Sequence, residues 1–142
     1  GFELTPPPPP AGNYIGAVTY GKLVYLAGHG PSDAAGNYCK GKVPTAVSVD
    51  EAYDAARMVG LNMLSTLKGE IGDLDRVRRF VKVLGMVNAE PDFEQQPKVI
   101  NGFSDLMVEI FGDSACCARS AVGMGSLPFQ IPVEIEAIVE LK

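Results

Sequence analysis

One histidine and three cysteines are the only imidazole and thiol groups in the 142-residue sequence, and the cysteines lack the C-x-x-C pairing of zinc and redox sites. A multi-histidine metal centre is excluded. Cys116 and Cys117 are adjacent, a spacing unsuited to a normal disulfide, so the thiols read as reduced, as in a cytosolic protein. No apolar run approaches the ~20 residues of a bilayer span, and no charged-then-apolar leader is present. The expectation is a cytoplasmic protein with no membrane partner. Positive charge is also short: twelve Lys and Arg stand against seventeen Asp and Glu, for a net charge of -5 and a pI near 4.8. Such a molecule repels a phosphate backbone, which argues against nucleic acid as a partner. The basic stretch Arg76, Arg78, Arg79, Lys82 is interleaved with apolar residues, as in a strand with one polar face. Nucleophile and nucleotide signatures are missing as well. Gly123-Met124-Gly125-Ser126 is not a G-x-S-x-G elbow, Gly28-His29-Gly30 lacks the third glycine of a dinucleotide loop, and no Walker-type GK[ST] occurs.

What is present is one domain's worth of chain with 46% hydrophobic residues. Pro6 to Pro10 followed by Ala11-Gly12 dictate an extended polyproline arm over residues 1–12. That arm reads better as a stiff segment laid on its own domain than as a ligand for another protein's groove. The domain proper is expected over 13–142. Tyr14 to Ala27 suggests a β-hairpin turning at Gly21, and the breakers between residues 28 and 47 mark a long loop. Ser48 and Glu51 form a capping box for a helix carrying Ala52, Ala55, Ala56, Val59, Met63 and Leu67, closed by Gly69 and Gly72. Its small residues, Gly60 among them, suit close approach to a sheet. Val77 to Val87 reads as a strand with Val77, Val81, Val83 and Val87 on one face and Phe80, Leu84 and Met86 on the other. A second helix follows Pro97 and stops at Gly112. Strands around Cys117 to Met124 and from Val133 to Leu141 complete an α+β order of ββ-α-β-α-ββ. Both helices need one sheet face, and apolar residues on both sides of the strands call for a cover on the other. With no further helix to supply it, a homo-oligomer is expected.

Arg119 is the charged residue in Cys116-Cys117-Ala118-Arg119-Ser120-Ala121-Val122, placed beside core positions if the strand alternates. Its planar fork either grips an external carboxylate or closes an internal ion pair, for instance with Glu134 on the neighbouring strand. His29 reads as a loop residue bonded to backbone or, less readily, as a general base. Cys116 and Cys117 read as small hydrophobes or, beside Arg119, as reactive thiols.

Ala118-Arg119-Ser120-Ala121-Val122, then Leu127-Pro128, then Val133-Glu134-Ile135-Glu136-Ala137-Ile138-Val139, resemble the C-terminal signature of the Rid/YjgF family, the reactive-intermediate deaminases also labelled endoribonuclease L-PSP. Gly12-Asn13-Tyr14, Leu26-Ala27-Gly28 and Val81-Lys82-Val83 fit the same pattern, and Gln96 to Gly102 resembles a less characterised branch. The resemblance implies a chorismate-mutase-like mixed β-sheet with two helices packed on one face. It further implies a homotrimer with clefts between subunits, and no metal or cofactor. In deaminating members the residue matching Arg119 binds the carboxylate of a 2-imino or 2-enamino acid, and those matching Tyr14 and Glu134 line the same cleft, the glutamate to hold or activate water. Gly28 and Ala27 fall on its binding wall. The implied activity is hydrolysis of a C–N bond in a small carboxylate-bearing metabolite, giving 2-keto acid and ammonia. Supporting polar positions are altered: Ala27 stands for a serine, Ala121 for a cysteine, and Ile100 for an asparagine, with Asn101 displaced by one. Those changes leave a non-catalytic carboxylate-binding trimer as the alternative; the endoribonuclease label is disfavoured by charge.

Overall fold

The computed structural model describes residues 1–142. Its seven principal elements are β1 (Ala17–Tyr20), β2 (Leu23–His29), α1 (Val49–Ile71), β3 (Val77–Asn88), α2 (Gln96–Phe111), β4 (Ala118–Met124) and β5 (Val133–Leu141). This is the order ββ-α-β-α-ββ. The sheet runs β1-β2-β5-β3-β4, and every pair is antiparallel except β3 with β4. A parallel pair needs a crossover, and α2 supplies it. No helix is long and apolar enough to cross a membrane.

Each element ends where its chemistry changes. Gly21, with φ of 63°, turns β1 into β2. Ser48 and Glu51 make both bonds of the capping box, and Gly72 closes α1 with its N–H on the Lys68 carbonyl. Pro97 occupies the first turn of α2, where a missing N–H costs nothing.

Both helices pack on one sheet face, over Val24, Val83, Val87, Ile135, Ala137 and Val139. The faces of β3 differ from strict alternation. Register irregularities between Val77 and Arg79 and between Phe80 and Lys82 shift the parity, so Val77, Phe80, Val83 and Val87 are buried while Val81 is exposed. Small residues of α1 likewise meet α2 rather than the sheet. A Cβ on Gly102 would overlap the Tyr53 carbonyl and come within 3.2 Å of Ala56, and one on Gly60 would lie 2.8 Å from Leu106. On β3, a Cβ on Gly85 would strike Ile100 at 2.6 Å, so this glycine lets α2 settle on the strand. These close approaches fix α2 over the β3–β4 edge.

The proline arm lies along the outer side of α1. Arg57 stands 5.5 Å from the Phe2 ring, Leu4 packs on the core, and Pro7 lies near Gly69. The opposite sheet face has no cover within the chain. Ile15, Val18 and Tyr25 stand exposed there, around a shallow depression of about 410 Å³ that Leu84 and Ile138 also line.

Candidate functional site

Arg119 pairs with Val83, whose side chain is buried beneath the helices, so the arginine leaves β4 on the helix side of the sheet. There its Nη1 donates to Asn101 Oδ1 at 2.8 Å and to Ser104 Oγ at 3.0 Å, both on α2. Its Nε and Nη2 make no hydrogen bond within the chain. Two ion pairs occur in the molecule, Arg57 with Glu109 and Arg78 with Glu140, and neither involves Arg119. A half-buried guanidinium held by two neutral acceptors keeps its full charge and an open edge of donors, which suits a planar anion.

The ion pair with Glu134 does not form, because β3 lies between β4 and β5. Glu134 pairs with Met86 and alternates with the buried Val133 and Ile135, so it leaves the sheet on the uncovered face. Burial raises its carboxyl above the ordinary value, and the neighbouring Glu136 adds to the rise. Gly28 stands beside it: a Cβ there would overlap the Glu134 carboxylate. Ala27 lines the depression on that same face. Both lie in the irregular stretch of β2 between Leu26 and His29. Tyr14 precedes β1, exposed, and its hydroxyl accepts from the Ala11 N–H at 3.2 Å. Within one chain, then, Glu134, Gly28 and Ala27 come together on one face, while Arg119 stands two strands away on the other.

The sequence marks Asn101 only as an asparagine displaced by one from the resemblance's supporting position, and it gives Ser104 no role. Their signal is a polar i, i+3 pair among the buried Val99, Ile100, Gly102 and Phe103, which puts both on one stripe of the helix. Ile100 is fully buried over Gly85 and belongs to the core, so it is Asn101 that meets the arginine.

His29 belongs to the end of β2 and is buried on the helix side. Its Nδ1 lies 2.6 Å from the Ala27 carbonyl, which can only accept, so Nδ1 carries the proton. Nε2 then accepts from Thr66 Oγ1 at 2.8 Å. Burial lowers its pKa, and the ring ties β2 to α1. Cys116 is exposed, and Cys117 packs partly on the core; burial raises the Cys117 thiol, with Arg119 opposing. Lys82 donates to Ser120 Oγ on the uncovered face, apart from Arg119.

The model of the family described as "YjgF/chorismate_mutase-like, putative endoribonuclease" matches residues 1–137. Protein TCP17 of Trypanosoma cruzi is 39% identical over 142 residues, spanning 99% of this chain and 89% of that protein. The crystal structure of Atu1372 from Agrobacterium tumefaciens, described as of unknown function, is 40% identical, with a TM-score of 0.90 over 99% of this chain and 88% of that one. A Shewanella oneidensis structure, described as a "putative endoribonuclease", is 28% identical, with a TM-score of 0.92 over 98% of this chain and 92% of its own.

Proposed function

The chain belongs to the YjgF/chorismate mutase-like family, and from that premise we propose that it hydrolyses small 2-imino and 2-enamino acids to 2-keto acids and ammonia. The observation that carries this reading is the uncompensated Arg119 guanidinium, oriented by Asn101 and Ser104 with donors to spare. The substrate carboxylate docks on that open edge. Orientation matters because the imine carbon is already electrophilic. Water adds to C2, the π pair moves to nitrogen, and a proton follows. The carbinolamine then collapses to a C=O bond as the C–N bond breaks and ammonia leaves. An enamine first takes a proton at C3 to become the imine.

Glu134, whose carboxyl is raised above its ordinary value by burial and by Glu136, is suited to exchange a proton with the attacking water. Because Arg119 and Glu134 leave opposite faces, the site needs a second copy of the chain to bring the two together. A homotrimer with the uncovered sheet faces turned inward supplies that copy and the missing cover. Tyr14, Gly28 and Ala27 then belong to the wall that the second copy contributes.

The alternative is a carboxylate-binding trimer without turnover, favoured by the apolar Ala27 and Ala121 near the proposed cleft. Keto-acid release from freshly generated 2-aminoacrylate, compared between wild type and Arg119→Ala, separates the two. Accelerated release that the variant loses supports the deaminase. If neither protein accelerates release while carboxylates raise the wild-type melting temperature, the binding role replaces it. RNA cleavage, the activity in the family's description, is disfavoured by the net charge of -5.

A further inference from the structure

The proline arm and Tyr14 are joined by contacts that the strands and helices do not require. Phe2 sets its ring 5.5 Å from the Arg57 guanidinium of α1, which Glu109 of α2 holds at 3.2 Å. Leu4 packs on the core, and Thr5 and Pro8 are half-buried three residues apart, the repeat of a polyproline helix. Pro7 lies 3.8 Å from where a Cβ on Gly69 would stand. From Phe2 to Pro7 the extended chain covers about 16 Å, and from Arg57 to Gly69 the helix rises about 18 Å. The arm therefore runs along α1 at nearly full extension, with no slack between its seats.

Ala11 is one further repeat beyond Pro8, and there the arm turns. The Tyr14 N–H donates to the Gly12 carbonyl at 3.0 Å, and the Tyr14 ring rests on Gly12, 3.6 Å from where a Cβ would stand. The Ala11 N–H donates to Tyr14 Oη at 3.2 Å. A backbone N–H only donates, so Oη is the acceptor and the hydroxyl keeps its own proton for another partner. No acceptor for that proton lies within the chain. Two residues on, the Gly16 carbonyl accepts from the Ala27 N–H at 2.9 Å, which ties this turn to the stretch of β2 where Gly28 stands beside Glu134.

Resting on the deaminase reading, we infer that the arm is a strut and Ala11 a positioning residue: its backbone N–H holds the Tyr14 hydroxyl so that the phenolic proton is presented to the bound ligand. Tyr14 stands exposed before the first strand, where a free chain end samples many conformations. Seating the arm on α1 removes that freedom before the ligand arrives, so the hydroxyl is oriented in advance. Five prolines in succession suit the task because they have little conformational freedom to lose.

The test is a double-mutant cycle on the full chain. It is read as KM for 2-iminopropanoate, generated in situ from alanine by an amino-acid oxidase, and as Kd for the product pyruvate by calorimetry. Ala11→Pro removes the N–H and continues the polyproline run. Both constants are expected to rise by about fivefold to tenfold, the worth of one net hydrogen bond, with kcat within about twofold. Ala11→Ser keeps the N–H and should match wild type. Tyr14→Phe should cost at least as much as Ala11→Pro when made alone and almost nothing in the Ala11→Pro background, since the two act through one bond. Leu4→Ser loosens the seat, leaves the donor in place and should raise both constants part of the way. Additive effects of Ala11→Pro and Tyr14→Phe, or no effect of Ala11→Pro, Tyr14→Phe or Leu4→Ser, overturn the strut while the deaminase reading stands. Pyruvate binding without turnover overturns the deaminase reading, and the cycle in Kd then decides the strut. Neither turnover nor binding by wild type overturns both.

Discussion

The Nη1 of Arg119 donates to Oδ1 of Asn101 at 2.8 Å, a bond that joins β4 to α2 through an acceptor with no charge. Neutrality of that acceptor is what leaves the arginine able to hold an anion. An amide orients the guanidinium without quenching it, whereas a carboxylate at the same place would do both.

Asn101→Asp is therefore expected to occupy the arginine with an internal ion pair. KM for carboxylate substrates should rise by about tenfold or more, and stabilisation by added 2-keto acids should disappear. Steady-state kinetics and thermal shift against Asn101→Ala check this. The alanine variant loses a contact but keeps the free charge, so it should fall between the two.

Glu134 supplies a pH dependence whose sign follows from its raised pKa. Its folded-state pKa lies above the ordinary value near 4.5, so the folded chain holds the proton more tightly than the unfolded one. The stability this provides is present below about 4.5 and is lost as pH rises through the folded value. Glu134→Gln removes the charge that burial penalises. Its melting temperature should match wild type in acid and exceed it increasingly from pH 4.5 upward, as calorimetry across that range will measure.

His29 acts in the opposite direction. Burial lowers its pKa from the ordinary 6.5, so stability is present above that value and is lost as pH falls through the folded one. Urea titrations from pH 7.5 downward should show this loss in wild type and not in His29→Gln. The variant should be less stable at pH 7.5, by about 1–2 kcal/mol, for want of the bonds to Ala27 and Thr66.

Gly102→Ala tests how α2 is seated. The added methyl meets the Tyr53 carbonyl, which is backbone of α1 and has no rotamer to yield. A loss of about 2–3 kcal/mol is expected, the typical cost of overpacking. Because the helix must shift away from α1, Asn101 and Ser104 are displaced relative to Arg119, and loss of Arg119-dependent binding should accompany the lower melting point.

Much of this arrangement is written plainly in the chain. Capping residues, glycine stops and the apolar stripes of α1 and α2 act locally, and the element order follows from them. Arg119 stood out because it is charged among uncharged neighbours on a strand. Two things escaped a local reading, for a common reason. Strand order puts β3 between Arg119 and Glu134, and the irregularities in β3 reverse the facing of Val81, yet both come from pairings across the sheet. The small residues of α1 announced a close approach without naming the partner. Asn101 and Ser104 acquire their meaning only when the crossover sets α2 above the edge strand.

That edge position has a dynamic consequence. β5 is paired on both sides, by β2 and β3, whereas β4 is paired with β3 alone. Amide hydrogens of Val133–Leu141 should therefore exchange among the slowest in the molecule, and the unpaired amides of Ala118–Met124 among the fastest. The strand carrying Arg119 opens at less cost than the whole domain unfolds. An anion bound there raises the cost of local opening by as much as it raises the cost of global unfolding. In the fast-exchanging amides its signature is slowed deuterium uptake in β4 and the Asn101–Ser104 turn of α2.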